Sequence, residues 1–178
     1  MILPTVGFIG IGAMGSRMVP HIANAGFPVH IFDLDVGRAE ALAATHNRIF
    51  TEDSAKSVAA VSDAVITMVP TGGDVRKATF GEGGLIEGFE AGKVLIDMSS
   101  SEPWFTTALA ADLAEKGISM IDSPVSGGTK GAEAGTLTLM VGGGDDVVEP
   151  CLSILETMAG HIFRTGKVGS GPALKTLN

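Results

Sequence analysis

Apolar residues along this chain follow two rhythms. Short apolar runs cover Thr5–Gly10, Val29–Asp33, Asp63–Val69, Lys93–Met98, Ser119–Ser123 and Leu137–Val141. Several are apolar at successive positions, as in Ala64-Val65-Ile66-Thr67-Met68-Val69, which suits strands covered on both faces of a parallel sheet. Arg48–Thr51 and His161–Arg164 fit two further short strands. Between the runs, a helical spacing of apolar residues covers Ala13–Ala25, Val36–Ala44, Ser54–Val61, Trp104–Lys116 and Asp146–Met158. Strand alternating with helix predicts a doubly wound α/β fold with right-handed crossovers. Pro20 falls inside the first helix and removes the hydrogen bond to the Ser16 carbonyl. A bend is expected there, because Met18, Val19, Ile22 and Ala23 carry the apolar face past it.

Composition narrows the function classes. The 178 residues, 45% apolar with 25 glycines, make one domain with a substantial core. A net charge of −8 argues against nucleic acid, whose binders need a basic patch to displace counterions. No window approaches the ~18 apolar residues of a membrane span, and the N-terminus lacks a basic segment followed by a cleavage site. Cys151 is the single cysteine, so a disulfide within the chain is excluded and a reducing cytoplasm fits. With Leu152 and Leu155 it reads as core. The four histidines show no metal-ligand spacing.

Candidate chemistry begins at the first strand. Gly10-Ile11-Gly12-Ala13-Met14-Gly15 is a G-x-G-x-x-G that follows an apolar run and opens a helix. Gly10 permits the tight turn, Gly12 lets backbone approach a pyrophosphate, and Gly15 lets helix pack on strand. The helix start offers free N–H groups to phosphate. Asp33, eighteen residues after Gly15, ends the second strand, where a carboxylate can accept from ribose hydroxyls and repel a 2′-phosphate. NAD is therefore expected over NADP. Asp35 fits a helix N-cap before Val36 and Arg38 a solvated helix residue. Val69, Pro70 and Thr71 follow the fourth strand and Asp97–Pro103 the fifth, at the sheet edge where open α/β folds bind ligands. Ser99 and Ser100 offer hydroxyls for a carboxamide or ribose, and Ser101 fits a cap for the helix at Trp104.

Two segments suit a small substrate. In Asp122-Ser123-Pro124-Val125-Ser126-Gly127-Gly128, the glycines after Ser126 expose consecutive N–H groups beside a hydroxyl, a nest for a carboxylate. Near the end, Gly169-Ser170-Gly171-Pro172 opens a helix that carries Lys175 and Asn178 on one face, a cation beside an amide.

These motifs, in this order, resemble the β-hydroxyacid dehydrogenases, the family of 3-hydroxyisobutyrate dehydrogenase and tartronate semialdehyde reductase. The resemblance spans essentially the whole chain. It rests on Gly7 through Gly15, on Asp122 through Gly128, and on Gly169-Ser170-Gly171 leading to Lys175 and Asn178. It implies a Rossmann-type NAD-binding domain over residues 1–167, with residues 168–178 starting an interdomain helix. That helix leads to an all-helical domain absent from this chain. The missing domain would close the site and form a homo-oligomer, leaving the isolated chain incomplete as an enzyme. The resemblance further implies Lys175 as the catalytic acid/base and Ser126, Gly127 and Gly128 as the carboxylate site. Asn178 would orient substrate, and Ser100 would stand beside the nicotinamide where the family usually has threonine. Asp74 replaces an asparagine that often touches cofactor, so that contact is not carried over. The implied reaction is oxidation of a small β-hydroxy acid to its semialdehyde. A 6-phosphogluconate-type dehydrogenase is disfavoured, because Leu177 stands where that group has histidine. Imine reductases usually replace the lysine. A cofactor-binding fragment without turnover, or a nucleotide-binding module, is the non-enzymatic alternative.

Overall fold

The computed structural model describes residues 2–177. In chain order its first half contains β1 (Val6–Ile9), α1 (Gly15–Asn24), β2 (Val29–Phe32), α2 (Val36–Ala43), β3 (Ile49–Thr51), α3 (Ala55–Val61), β4 (Ala64–Thr67) and α4 (Gly72–Phe80). Then follow β5 (Val94–Asp97), α5 (Pro103–Ala114), β6 (Ser119–Asp122), β7 (Val125–Ser126), α6 (Gly128–Ala134) and β8 (Leu137–Gly142). The last elements are α7 (Asp145–Val148), α8 (Leu152–Leu155), β9 (Ala159–Gly166) and α9 (Ser170–Thr176).

Among the described residues the sheet has nine strands in the order β3-β2-β1-β4-β5-β6-β8-β7, with β9 paired to β8. β3 through β6 are all parallel. β8 runs antiparallel to β6 and β7, and β9 runs parallel to β8. This is the expected doubly wound, mainly parallel Rossmann-type architecture. The strand order reverses between β1 and β4, so the loops after those strands diverge and leave a crevice.

The strand sequences explain the two-layer cover. On β1, β4, β5 and β6, the residues Phe8, Ile66, Ile96 and Ile121 join one apolar core. Their neighbours Ile9, Val65, Leu95 and Met120 join the core on the opposite face. Period-two alternation thus places apolar side chains on both faces. Cys151 sits in the first core, 4% exposed, and burial pushes its thiol up to about 11.

Several elements depart from expectation. The helix expected over Asp146–Met158 breaks into α7, a 3₁₀ turn at Glu149–Cys151 and α8. Pro150, lacking an N–H, starts that tight turn. Helices α4 and α6 and the two-residue β7 were not anticipated. α1 continues through Pro20 to Asn24. Asp35 caps α2 as expected, accepting from the Arg38 amide. Ser101 does not cap α5: Glu102 occupies that position and Pro103 opens the helix, while the Ser101 hydroxyl turns to Asp97. Among the described residues, no helix is long and apolar enough to cross a membrane.

Candidate active site

The loops after β1, β2, β4 and β5 enclose a cleft of about 910 Å³ at the carboxyl ends of the strands. Gly10, Gly12, Ala13, Met14, Gly15, Asp33, Val69, Pro70 and Ser100, the residues expected at the cofactor, all line it. The glycine loop is shaped for close approach. Gly10 has φ of +99°, and a Cβ there would collide with the Met68 carbonyl across the β1–β4 crevice. A Cβ on Gly15 would strike the Gly10 carbonyl. At Gly12 no protein atom lies within 4 Å of where a Cβ would stand, so a side chain there would take up cleft space. That bare backbone, opening into helix α1, fits the pyrophosphate of a dinucleotide.

Ile11 is the exception among the predicted cofactor residues. Its side chain is fully buried in the core rather than lining the cleft. Its amide donates to Asp33 Oδ2 at 2.6 Å, while Asp33 Oδ1 accepts from the Asp35 amide at 2.8 Å. Asp33 therefore ties the glycine loop to the end of β2 while facing the cleft. Arg38 also lines the cleft, its guanidinium 3.8 Å from the Asp35 carboxylate. Sequence reasoning missed the far lobe of the cleft, bordered by Asp53, Ser54, Lys77 and residues 81–84. The run Gly81-Glu82-Gly83-Gly84 was its visible signal.

A smaller cavity of about 310 Å³ opens beside the cleft, lined by Ser100, Ser101, Glu102, Pro124, Pro172, Lys175 and Thr176. Its size suits a small molecule. Ser100 borders both spaces. Lys175, half-buried on α9, donates from Nζ to Ser100 Oγ at 3.1 Å. Ser99 does not serve as a ligand hydroxyl. It is 2% exposed, accepts from the Val69 amide at 3.0 Å and donates to the Thr67 carbonyl, stitching the β4 and β5 loops together.

Ser126, Gly127 and Gly128 stand exposed at the β7–α6 junction, with φ of +126° and +58° at the two glycines. They line neither cavity; their nearest chain neighbour that does is Pro124. Asn178 lies outside the described residues. Asp74 borders the cleft but spends its carboxylate in a capping box with Thr71.

Two buried carboxylates escaped sequence reasoning. Asp97 and Asp122 end β5 and β6 and are register partners across the sheet. Asp97 accepts from the Thr67 hydroxyl, the Ser99 amide and the Ser101 hydroxyl, all at 3.0–3.1 Å. Asp122 accepts from the Gly169 and Gly171 amides at 2.6 and 2.9 Å. Burial raises the pKa of both. Asp122 is pushed up to about 6, with the two amide donors opposing the shift and the Asp97 charge adding to it. The sequence signal was the pair Leu95-Ile96-Asp97-Met98 and Met120-Ile121-Asp122-Ser123, two apolar runs each ending on aspartate.

Comparison with known proteins agrees with this geometry. Residues 5–166 match the family described as the NAD binding domain of 6-phosphogluconate dehydrogenase. The 2-(hydroxymethyl)glutarate dehydrogenase of Eubacterium barkeri is 42% identical over 173 residues, 97% of this chain and 57% of that protein. The NAD-dependent L-serine dehydrogenase of Pseudomonas aeruginosa is 34% identical over 173 residues, again 97% of this chain and 57% of that protein. The solved structure of Mycobacterium tuberculosis 3-hydroxyisobutyrate dehydrogenase with L-serine superposes with a TM-score of 0.93 at 34% identity, covering 99% of this chain and 59% of that one. The chain thus spans somewhat under two thirds of the length of these relatives. With its glycine loop, Asp33 and strand order, this chain belongs to the NAD-binding domain family of the β-hydroxyacid and 6-phosphogluconate dehydrogenases.

Proposed function

We propose that the full-length protein containing this chain reversibly oxidises a small β-hydroxy acid to its semialdehyde, with NAD as hydride acceptor and Lys175 as general acid/base. One observation carries the reading: the Lys175 ammonium group meets Ser100 where the dinucleotide cleft and the smaller cavity share a wall. Glycines 10, 12 and 15 and Asp33 would hold the dinucleotide by pyrophosphate and ribose. When bound, the nicotinamide supplies hydride acceptance and donation. The chain's own residues handle the proton. In oxidation, neutral Lys175 takes the proton from the substrate hydroxyl as the carbinol C–H bond breaks. In reduction, its ammonium form returns that proton to the carbonyl oxygen. Ser100 would orient the lysine and the bound oxygen. Ser126, Gly127 and Gly128, which lie outside both cavities beyond Pro124, would receive the carboxylate of a substrate that reaches past Pro124, and Asn178 would steady the reacting group.

Residues 168–178 would begin the helix into a second domain that supplies the remaining walls and the oligomer contact. The relatives' names support a hydroxy acid substrate class. The test is a steady-state screen of the full-length protein over small β-hydroxy acids with NAD and NADP. NAD-linked turnover of at least one acid is expected. Absence of turnover across the series would sink the reading.

A further inference from the structure

We propose that Asp122 is a positioning residue for Lys175: its buried carboxylate fixes the Gly169–Gly171 turn and thereby sets where α9 delivers the ammonium group. The inference rests on the role given to Lys175 above.

The first N–H groups of a helix have no partner within it. At α9 these are the amides of Gly169, Ser170 and Gly171, since Pro172 has none. Ser170 finds the Lys167 carbonyl at 3.1 Å. The other two are taken by a single side chain, one by each oxygen of Asp122. The arrangement is shielded from bulk solvent, because Asp122 is 1% exposed and Gly169 and Gly171 are buried. The space around the carboxylate is tailored. A Cβ on Gly142 would stand 2.7 Å from both carboxylate oxygens, and one on Gly171 would collide with Oδ2. A negative charge beneath the start of a helix is also favoured by its dipole.

The other half of the contact is held in the same way. Asp97 ties down Ser99 and Ser101 on either side of Ser100. Because Asp97 and Asp122 are paired on adjacent strands, the rigid sheet sets the spacing between Ser100 and Lys175.

Asparagine at 122 keeps the shape but turns an NH₂ group toward one of the two amides, so one donor faces another. The test is Asp122→Asn in the full-length protein, with amide hydrogen exchange on the wild-type and variant chains. Since a misplacement near 1 Å can cost on the order of a hundredfold, kcat should fall about ten- to a hundredfold. Binding of NADH, whose cleft Asp122 does not line, should stay within about twofold, which separates lost positioning from general damage. In the wild-type chain the Gly169 and Gly171 amides should exchange slowly, like those of β6, and in the variant both should speed up while β1 and β4 amides do not.

The proposal is overturned if Asp122→Asn keeps kcat within about threefold while Lys175→Ala has lost it. It is equally overturned if the wild-type Gly169 and Gly171 amides exchange as fast as that of Leu177, a result that needs no variant to fold. Retention of kcat by Lys175→Ala would instead remove the acid/base reading itself.

Discussion

Asp33 serves twice. It faces the dinucleotide cleft, and its two oxygens anchor the amides of Ile11 and Asp35. Asp33→Ala should therefore lose both a ribose acceptor and the tether of the glycine loop. Removing hydrogen bonds to a charged group costs about 1.5–3 kcal/mol, so NADH should bind roughly ten- to a hundredfold more weakly in a fluorescence titration. An unchanged Kd would deny Asp33 both tasks. Lys175→Ala in the full-length protein should reduce kcat by about a hundred- to ten-thousandfold, the usual worth of general acid/base catalysis, while NADH binding is unaffected. At this scale the sequence singled out the glycine loop and Asp33 by type and spacing, and Ser100 and Lys175 with the help of the family resemblance, and the structure places all of them along the two cavities. The sequence concealed residues whose importance comes from burial. The apolar runs that end on Asp97 and Asp122 hint at burial but not at the donors around each carboxylate, and the serine after Met98 looks like a ligand until Val69 is found to occupy it.

Elements were legible where apolar residues dominate and hidden where they thin out. The six main strands stand within a residue or two of expectation because apolar residues dominate each run. Helix α4 begins Gly72-Gly73, and α6 reads Gly-Thr-Lys-Gly-Ala-Glu-Ala, so neither shows a helical stripe. α4 forms instead through its Thr71–Asp74 capping box, and α6 opens on two glycines at positive φ. The long helix before β9 failed because one proline outweighed the apolar spacing around it. The β1–α1 turn gives the sharpest test at this scale. Gly10→Ala puts a Cβ against the Met68 carbonyl at a φ of +99°. We expect a loss of stability of about 2–4 kcal/mol in urea unfolding, with NADH binding weakened as the β1–β4 crevice opens. A variant as stable as the wild type would mean that the turn relaxes freely.

For the molecule as a whole, the buried carboxylates shape the response to pH. Asp122 titrates near 6 when folded against a reference of 3.8. Between those values the native state holds more protons than the unfolded chain, so stability falls as pH rises through the window. The effect amounts to at most about 3 kcal/mol, complete above the folded value. Asp97 shifts in the same direction. Urea unfolding of wild type and Asp122→Asn between pH 4 and 6 should therefore show the wild type losing ground to the variant as pH increases. Parallel curves would contradict the assigned shift.

The lining of the dinucleotide cleft is drawn wholly from residues between Ile9 and Ser100, whereas Lys175 lies 75 residues beyond Ser100. In order of synthesis, the residues that line the cleft emerge from the ribosome well before Lys175, the group proposed to move the proton. If Lys175 acts as proposed, nucleotide capture and turnover are separable along the gene. A chain stopped just after β9 would retain every cleft-lining residue yet leave Asp122 with no amides to hold, and on the proposed mechanism it would bind the cofactor without turning it over.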